Sequence, residues 1–180
     1  MSQKNKTFGH GGSPPCTCDR RNNPVKPVQI SGHTIWAGGG LYLREKDLVG
    51  FDHWIDLRAE QLPPNVSFGD YLDKMGVIYL PIVDFGTVAD EDWGAWKMVL
   101  DVTQQQMAVG IKKVVFCAGG HGRTGLFLAS LLAKSEPKVD DPVAEIRRRY
   151  CPHAVETEAQ RAQVMRLLKE TRRCNAAPTS

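Results

Sequence analysis

The sequence contains no long hydrophobic run, and this absence limits the kinds of protein that it can encode. No stretch of about 18 apolar residues occurs among the 180 residues, so we expect no transmembrane helix. The first residues, MSQKNK, lack the apolar segment of a signal peptide. We therefore expect no membrane partner and a cytoplasmic location.

Strong charge is also absent. The formal net charge is +3, which suits an anionic substrate. A protein that binds nucleic acid usually carries a stronger basic patch, so we expect no nucleic-acid partner.

Cysteine is sparse and unevenly placed. Its five positions form an odd, scattered set, which argues against a disulfide framework and for a reducing compartment: Cys16, Cys18, Cys117, Cys151 and Cys174. Cys16 and Cys18, with His10 nearby, suggest a metal site. No second ligand pair with zinc spacing follows, so we expect a flexible tail and no metal.

The most informative stretch is VVFCAGGHGRTG, residues 114–125, followed by the apolar run of residues 126–133. Its β-branched and aromatic residues predict a short buried strand, and its glycines predict a turn. The apolar run is hydrophobic on all sides, which predicts a buried helix. A turn held between a buried strand and a buried helix is well placed for chemistry.

This turn has the composition of an oxyanion site. Its backbone amides can form an anion-binding nest, and the helix that follows adds positive potential at its N-terminus. Arg123 can donate two hydrogen bonds to one oxyanion, and Cys117 would lie at the floor of the nest. Such surroundings lower the pKa of a thiol and make it a nucleophile. The predicted phosphate-binding residues are Ala118, Gly119, Gly120, His121, Gly122 and Arg123.

Two nucleotide-binding motifs fit this turn less well than an oxyanion site does. Residues 120–125 satisfy G-x-G-x-x-G, but residues 134–142 contain too little β-forming sequence for the strand that a dinucleotide site needs next. The P-loop of nucleoside triphosphatases requires a lysine, and this turn has none. A third interpretation is a glycine-rich turn around a buried cysteine without function, and the combination of cysteine, arginine, threonine and glycines argues against it.

The pattern Cys117-x5-Arg123-Thr124-Gly125 resembles the signature loop of the cysteine-dependent protein tyrosine and dual-specificity phosphatases. LPIVDFGT, residues 80–87, resembles the general-acid loop of that family. AVETEAQ, residues 154–160, resembles the segment after the catalytic helix in its kinase-associated dual-specificity branch. The resemblance extends from about Ile35 to Lys169.

The resemblance implies a phosphomonoester hydrolase that needs no cofactor. Cys117 would be the nucleophile, Arg123 the phosphate ligand and Asp84 the general acid. Thr124 would assist departure of the sulfur, and Gln160 would position water. Gln160 fits a helix capping box three residues after Thr157 equally well. The expected substrates are phosphotyrosine, phosphoserine or phosphothreonine side chains of proteins.

The resemblance has one departure, which leaves an alternative open. The family usually has histidine directly before the cysteine, whereas this chain has Phe116. This is the only feature that favours a module that binds phosphoresidues without turnover, and the retention of Cys117, Arg123 and an upstream aspartate argues against it. A second alternative is removal of phosphate from RNA 5′ ends. Lipid-directed relatives carry lysine after the cysteine, and Ala118 at that position argues against a phosphoinositide substrate.

The remaining pattern predicts one α/β domain, with a mainly parallel central sheet flanked by helices. We expect a flexible lead-in over residues 1–27, a catalytic domain over 28–173, a disordered tail over 174–180, and a monomer. Predicted strands are a hairpin within 28–37 and the segments 53–58 and 77–82. Predicted helices are 68–75, one capped by Asp90, one opening with Asp141 and Pro142, and one over about 157–172.

Two sets of charged residues remain to be assigned a role. Asp56 and Arg58 share one face of a predicted strand and are either structural ions near the site or a surface pair. Residues 147–149, three arginines, are predicted to form a solvated helix face.

Overall fold

The computed structural model describes residues 25–41, 43, 45–61, 71–72 and 76–176. These residues form one six-stranded sheet with helices packed on it. The strands are β1 (Val25–Ile30), β2 (His33–Gly39), β3 (His53–Arg58), β4 (Tyr71–Leu72), β5 (Val77–Ile82) and β6 (Lys113–Cys117). The helices are α1 (Glu45–Leu48), α2 (Trp93–Ala108), α3 (Gly122–Ser135), α4 (Pro142–Arg149) and α5 (Glu158–Ala176).

The strand order is β1-β2-β6-β3-β5-β4. The inner pairs β2–β6, β6–β3 and β3–β5 are parallel, whereas β1 and β4 pair antiparallel at the two edges. The predicted α/β architecture with a mainly parallel sheet is therefore confirmed. Because the parallel strands point the same way, the loops that follow β3, β5 and β6 meet at one edge of the sheet.

The central strand β6 is buried on both faces. Val115 and Cys117 join the main hydrophobic core, whereas Val114 and Phe116 join a smaller cluster with Leu48 on the other face. Successive strand residues point to opposite faces, which explains this division. The sequence pattern predicted this buried strand, and the structure confirms it.

Helix α3 is the centre of the main core. Its residues from Gly122 to Ala133 are all buried, and it packs against α2, α4, α5 and the sheet. A helix covered on every side needs apolar residues around its whole circumference, as the sequence predicted. The loop before α3 is therefore fixed at both ends by buried structure.

Helix α2 buries one apolar face, which includes Trp93, Trp96, Leu100 and Met107. The predicted cap of this helix is wrong. Asp92 occupies the N-cap position without a side-chain cap hydrogen bond, because the chain before it turns through backbone hydrogen bonds.

Asp90 instead forms an ion pair with Arg166 of α5 at 2.6 Å. The predicted start of α4 is confirmed, because the Asp141 carboxylate accepts a hydrogen bond from Ala144 N at 3.0 Å and Pro142 opens the helix.

Three predicted boundaries differ from the structure. β1 begins at Val25, inside the predicted lead-in, because it pairs with β2 along its whole length. α5 continues to Ala176, inside the predicted tail. Tyr71–Leu72, within the predicted helix 68–75, is a short strand, because the open edge of β5 offers it backbone hydrogen bonds. The other residues of that predicted helix lie outside the described part of the chain.

Residues 1–24, with Cys16 and Cys18, and residues 177–180 lie outside the described part of the chain. Among the described cysteines, Cys117, Cys151 and Cys174 are not joined in disulfides. None of the described helices is both long enough and apolar enough to span a membrane.

Candidate active site

The cysteine loop joins the end of β6 to the first turn of α3. Cys117, the last residue of β6, is 3% exposed, and its Sγ accepts a hydrogen bond from Gly120 N at 3.3 Å. Gly120 has a φ of +79°, which glycine adopts without strain. The Tyr150 hydroxyl donates to the carbonyl oxygen of Gly120 at 2.7 Å. The carbonyl is thus turned toward Tyr150, and the N–H is turned toward the sulfur.

The glycine-rich end of β2 lies directly against the cysteine loop. Gly40 N donates to Cys117 O at 2.5 Å, and Leu41 N donates to Ala118 O at 3.1 Å. A Cβ on Gly39 would lie 2.9 Å from the carbonyl carbon of Gly119. The backbones meet so closely that side chains do not fit between them.

Arg123 lies in the first turn of α3 and is 1% exposed. Its Nη1 and Nη2 donate to the two carboxylate oxygens of Glu60 at 2.7 and 3.0 Å. Nη1 also donates to Ile82 O at 3.0 Å. Burial acts to lower the pKa of Arg123, but the acidic groups of Glu60, Cys117 and Asp84 together raise it above its ordinary value. Arg123 therefore stays charged although it is buried.

Asp84 follows the end of β5 and lies beside Arg123. Its Oδ1 is 3.0 Å from Nη2 of Arg123, and its side chain is 60% exposed. The structure thus brings the predicted general acid, the predicted phosphate ligand and the predicted nucleophile to one edge of the sheet. Asp90 and Asp92 lie instead at the start of α2.

Gln160 connects the acid loop to the start of α5. Its Oε1 accepts from Glu156 N at 2.9 Å and from Thr157 N at 3.4 Å, and its Nε2 donates to Gly86 O at 3.0 Å. Gln160 N in turn donates to the Thr157 hydroxyl at 3.2 Å. The capping box is therefore present. Gln160 is fully buried and acts as a strut beside the cysteine loop, and its water-positioning role stays a prediction.

Two further loop residues have structural contacts. The Thr124 hydroxyl donates to Gly38 O at 3.4 Å. His121 lies at the loop mouth, where its Nδ1 is 3.5 Å from Sγ of Cys151 and its ring is 6.0 Å from that of His153. His121 therefore packs against the segment between α4 and α5, in addition to bordering the mouth.

Sequence reasoning missed two glutamates of the site. Glu60 lies in a single 3-10 turn, Ala59–Gln61, directly after β3. Its position after a parallel strand beside β6 is the signal that could have revealed it. Glu156 accepts a hydrogen bond from Gly122 N, and burial, followed by the charge of Asp84, raises its pKa.

Phe116 occupies the position where the resembling family has histidine. Its ring is buried on the sheet face opposite Cys117, with Cζ of Arg58 5.2 Å from the ring centroid. Asp56 accepts from Nε and Nη2 of Arg58 at 2.9 and 2.7 Å, and Asp56 is buried. The Asp56–Arg58 pair is therefore a structural ion pair behind the cysteine strand rather than a surface pair.

The arginine run of α4 is exposed at Arg147 and Arg148, whereas Arg149 is half-buried, so the prediction of a solvated face is wrong for one of the three residues. Arg148 is exposed, whereas Arg149 bonds to Glu136. Arg147 donates to Ala154 O at 2.9 Å and to Val155 O at 2.8 Å. This brace is needed because Val155 has a φ of +62° where the segment passes over α3.

The comparison with known families agrees with this geometry. Residues 44–178 match the family model described as Swiss Army Knife protein, DSP-PTPase phosphatase domain, which covers well over half of the chain. The chain belongs to the DSP-PTPase phosphatase family. The matched range contains the cysteine loop, the acid loop and Gln160. The resemblance noted in the sequence is therefore confirmed.

Among curated proteins, this phosphatase domain is similar to two uncharacterized proteins of Methanocaldococcus jannaschii. It is 38% identical to MJECL20 over 101 residues, which are 56% of this chain and 65% of that protein. It is 36% identical to MJ0215 over 104 residues, which are 58% of this chain and 62% of that protein. The matches thus span less than two thirds of either relative.

Solved phosphatase structures share the fold. Tk-PTP in its active form superposes with a TM-score of 0.58 at 24% identity, covering 82% of this chain and 96% of Tk-PTP. Kinase-associated phosphatase with serine in place of its catalytic cysteine superposes with a TM-score of 0.60 at 17% identity, covering 87% of this chain and 99% of that one. At these identities the likeness establishes the fold alone.

Proposed function

We propose that this DSP-PTPase domain hydrolyses phosphomonoesters of protein side chains through a cysteinyl-phosphate intermediate. The observation that carries the proposal is the placement of Cys117 and Arg123 at the two ends of one short loop. Gly120 N already donates to the sulfur, and Arg123 is buried and charged. A tetrahedral dianion has the shape and charge that this arrangement can bind.

In the first step, the Cys117 thiolate attacks phosphorus. The S–P bond forms as the P–O bond to the leaving group breaks, and Asp84 in its acid form gives its proton to the departing oxygen. Arg123 and the loop amides stabilise charge on the remaining phosphate oxygens. Such stabilisation by fixed donors is a large part of catalysis at phosphorus.

In the second step, water attacks phosphorus and the S–P bond breaks. The Asp84 carboxylate takes the proton of the water, so inorganic phosphate leaves and both the thiolate and the acid are restored. Thr124 and Gln160 are the proposed helpers of this step, for the departing sulfur and for the water.

The charges around the mouth support a phosphorylated side chain as the substrate. Three carboxylic acids, Asp84, Glu60 and Glu156, lie close enough to Arg123 to interact with its charge. A substrate that carries several phosphates would be repelled by these groups, whereas a single phosphate beside neutral or basic residues would not. This contrast favours phosphoproteins over phosphoinositides and over triphosphorylated RNA.

The test is turnover of p-nitrophenyl phosphate by wild type and by Cys117→Ser, followed by a panel of phosphopeptides, phosphoinositides and triphosphorylated RNA. We expect Cys117→Ser to lose turnover and to keep binding of inorganic phosphate, because a serine hydroxyl is a far weaker nucleophile. Cys174→Ser, at an exposed free thiol, is the matched control and should be unchanged. Near-normal turnover by Cys117→Ser would overturn the covalent mechanism.

A further inference from the structure

The buried guanidinium of Arg123 is held along one of its edges. Its terminal edge, formed by Nη1 and Nη2, faces the two carboxylate oxygens of Glu60 at 2.7 and 3.0 Å. The outer hydrogen of Nη1 is directed to Ile82 O at 3.0 Å. This edge is thus fixed by a bidentate ion pair and by the end of β5.

The other edge, formed by Nε and Nη2, includes a donor for which the described part of the chain provides no partner. Nε is buried and has no hydrogen-bond partner among the described residues. Nη2 lies 3.0 Å from Oδ1 of Asp84, in addition to its hydrogen bond to Glu60. Buried donors in folded proteins are almost always paired, so an unpaired one beside a nucleophile indicates where an anion binds. The Nε–Nη2 edge is one that binds an oxyanion through two parallel hydrogen bonds.

We propose that Glu60 is a positioning residue for phosphate binding, which holds the terminal edge of Arg123 so that its Nε–Nη2 edge faces the phosphate. The inference rests on the proposed function and assigns a role to a residue outside the motif. Incoming phosphate replaces Asp84 at Nη2 and leaves Glu60 in place. The displaced Asp84 is then free to face the leaving group.

The local structure keeps Glu60 in position. Glu60 follows β3 by one tight turn, and β3 ends with Arg58, which is fixed by Asp56 at 2.7 Å. The hydrogen bonds from Arg123 lower the pKa of Glu60, so it stays ionised across the neutral range. Asp84 follows an exposed residue, Val83, and its side chain is 60% exposed against 45% for Glu60. Asp84 has one ion-pair contact with Arg123, whereas Glu60 accepts two hydrogen bonds from it. Of these two carboxylates, Asp84 is the one that is free to move.

The experiment compares Glu60→Gln, Glu60→Asp and the control Glu91→Gln, which changes an exposed glutamate before α2. It measures kcat and KM for p-nitrophenyl phosphate and, by calorimetry, the Kd of inorganic phosphate. We expect Glu60→Gln to weaken phosphate binding by about tenfold or more, because the amide offers one acceptor where the carboxylate offers two. Glu60→Asp should recover part of the loss, and Glu91→Gln should match wild type.

A double-mutant cycle with Arg123→Lys separates positioning from a general effect on folding. Because Glu60 acts through the guanidinium, Glu60→Gln should weaken phosphate binding further by less than about twofold in the Arg123→Lys background. Tighter phosphate binding by Glu60→Gln would show that Glu60 occupies the phosphate site, and this would overturn the proposal. An unchanged Kd, or the same loss in both backgrounds, would also overturn it.

The two proposals fail in different ways. If wild type binds phosphate but turns over no ester, the hydrolase proposal fails, while the phosphate Kd values still decide the role of Glu60. If wild type and Glu91→Gln turn over ester and Glu60→Gln equals them in both Kd and kcat, only the role of Glu60 fails. If Glu60→Gln does not fold, the phosphate Kd of Glu60→Asp tests the role of Glu60, because this variant keeps the charge but has a shorter side chain. A phosphate Kd equal to that of wild type would then contradict the positioning role.

Discussion

Asp84 is an exposed aspartate with a buried cation as its neighbour. It lies 3.0 Å from the buried Arg123, at the end of a strand that runs parallel to β3 beside the cysteine strand. Asp92, at the start of α2, lacks such a neighbour among the ion pairs of the described residues. Two aspartates eight residues apart in one chain are therefore expected to behave differently under substitution.

Asp84→Asn should slow esters with poor leaving groups strongly and activated aryl esters much less. A phenolate leaving group, whose parent phenol has a pKa of about 10, departs slowly unless it receives a proton. A general acid accelerates such a step by about 10² to 10⁴. The measurement is kcat/KM across a series of aryl phosphates of increasing leaving-group pKa. Asp92→Asn is the control and should follow the wild-type line. A uniform loss for Asp84→Asn would assign the proton to another group.

The buried amine of Lys113 should make the folding stability depend on pH. It is 0% exposed, and burial lowers its pKa from 10.5 to about 8, with Asp52 opposing the shift and His53 Nδ1 3.0 Å from its Nζ. Between about pH 8 and 10.5 the unfolded chain binds more protons than the folded chain at this residue. The contribution of Lys113 to stability therefore rises with pH across that window, and its cost is fully present at neutral pH.

Lys113→Met should be more stable than wild type at pH 7 by an amount on the order of 2 kcal/mol, and the difference should shrink toward pH 10.5. Urea unfolding at a series of pH values measures it. The exposed neighbour Lys112 supplies the control, since Lys112→Met should show no such trend. A Lys113→Met difference that stays constant with pH would mean that the buried amine is not the source.

At the scale of secondary-structure elements, the contact between β2 and the cysteine loop determines the shape of the site. Gly39 and Gly40 at the end of β2 carry no side chains, so the loop backbone can form hydrogen bonds with the chain around them. Tyr150 fixes the same loop from the other side through Gly120. The loop is thus clamped between one strand end and one helix end.

Gly39→Ala should reduce kcat/KM by about 10² or more, because its Cβ would lie 2.9 Å from backbone atoms of Gly119 and the loop must shift. The expected loss of folding stability is about 1 to 3 kcal/mol. Gly94→Ala is the matched control, since a Cβ there meets no atom within 4 Å and alanine favours a helix. Steady-state kinetics and thermal melts of both variants test this, and a fully active Gly39→Ala would contradict the close packing.

At the scale of the whole molecule, ligand binding should be visible as global stability. Phosphate at about 100 times its Kd should stabilise the domain by about 2.7 kcal/mol, which raises Tm by about 5 to 10 °C. Differential scanning calorimetry of wild type and Arg123→Lys measures this. The variant should lose most of the shift, because lysine has no planar fork. An equal shift in both proteins would place the bound phosphate elsewhere, for example near the arginines of α4 and α5.

Local sequence was sufficient where the physical signal is local. The strand that ends at Cys117, the glycine turn and the buried helix follow one another directly in the sequence. The hydrophobic pattern predicts the strand and the helix, and the glycines predict where one ends and the other begins. Asp141 and Pro142 cap α4 for the same reason, since a cap involves only neighbouring residues. The sequence also predicted the parallel sheet, because strands that alternate with helices leave few other arrangements.

The tertiary structure alone decided which distant groups meet. Glu60 and Arg123 are 63 residues apart, and they touch because the sheet order places β6 between β2 and β3. The same order buries Phe116 against Arg58 and brings the glycines of β2 against the cysteine loop. Contacts of this kind depend on how strands are ordered in the sheet, and no local pattern of residues encodes that order.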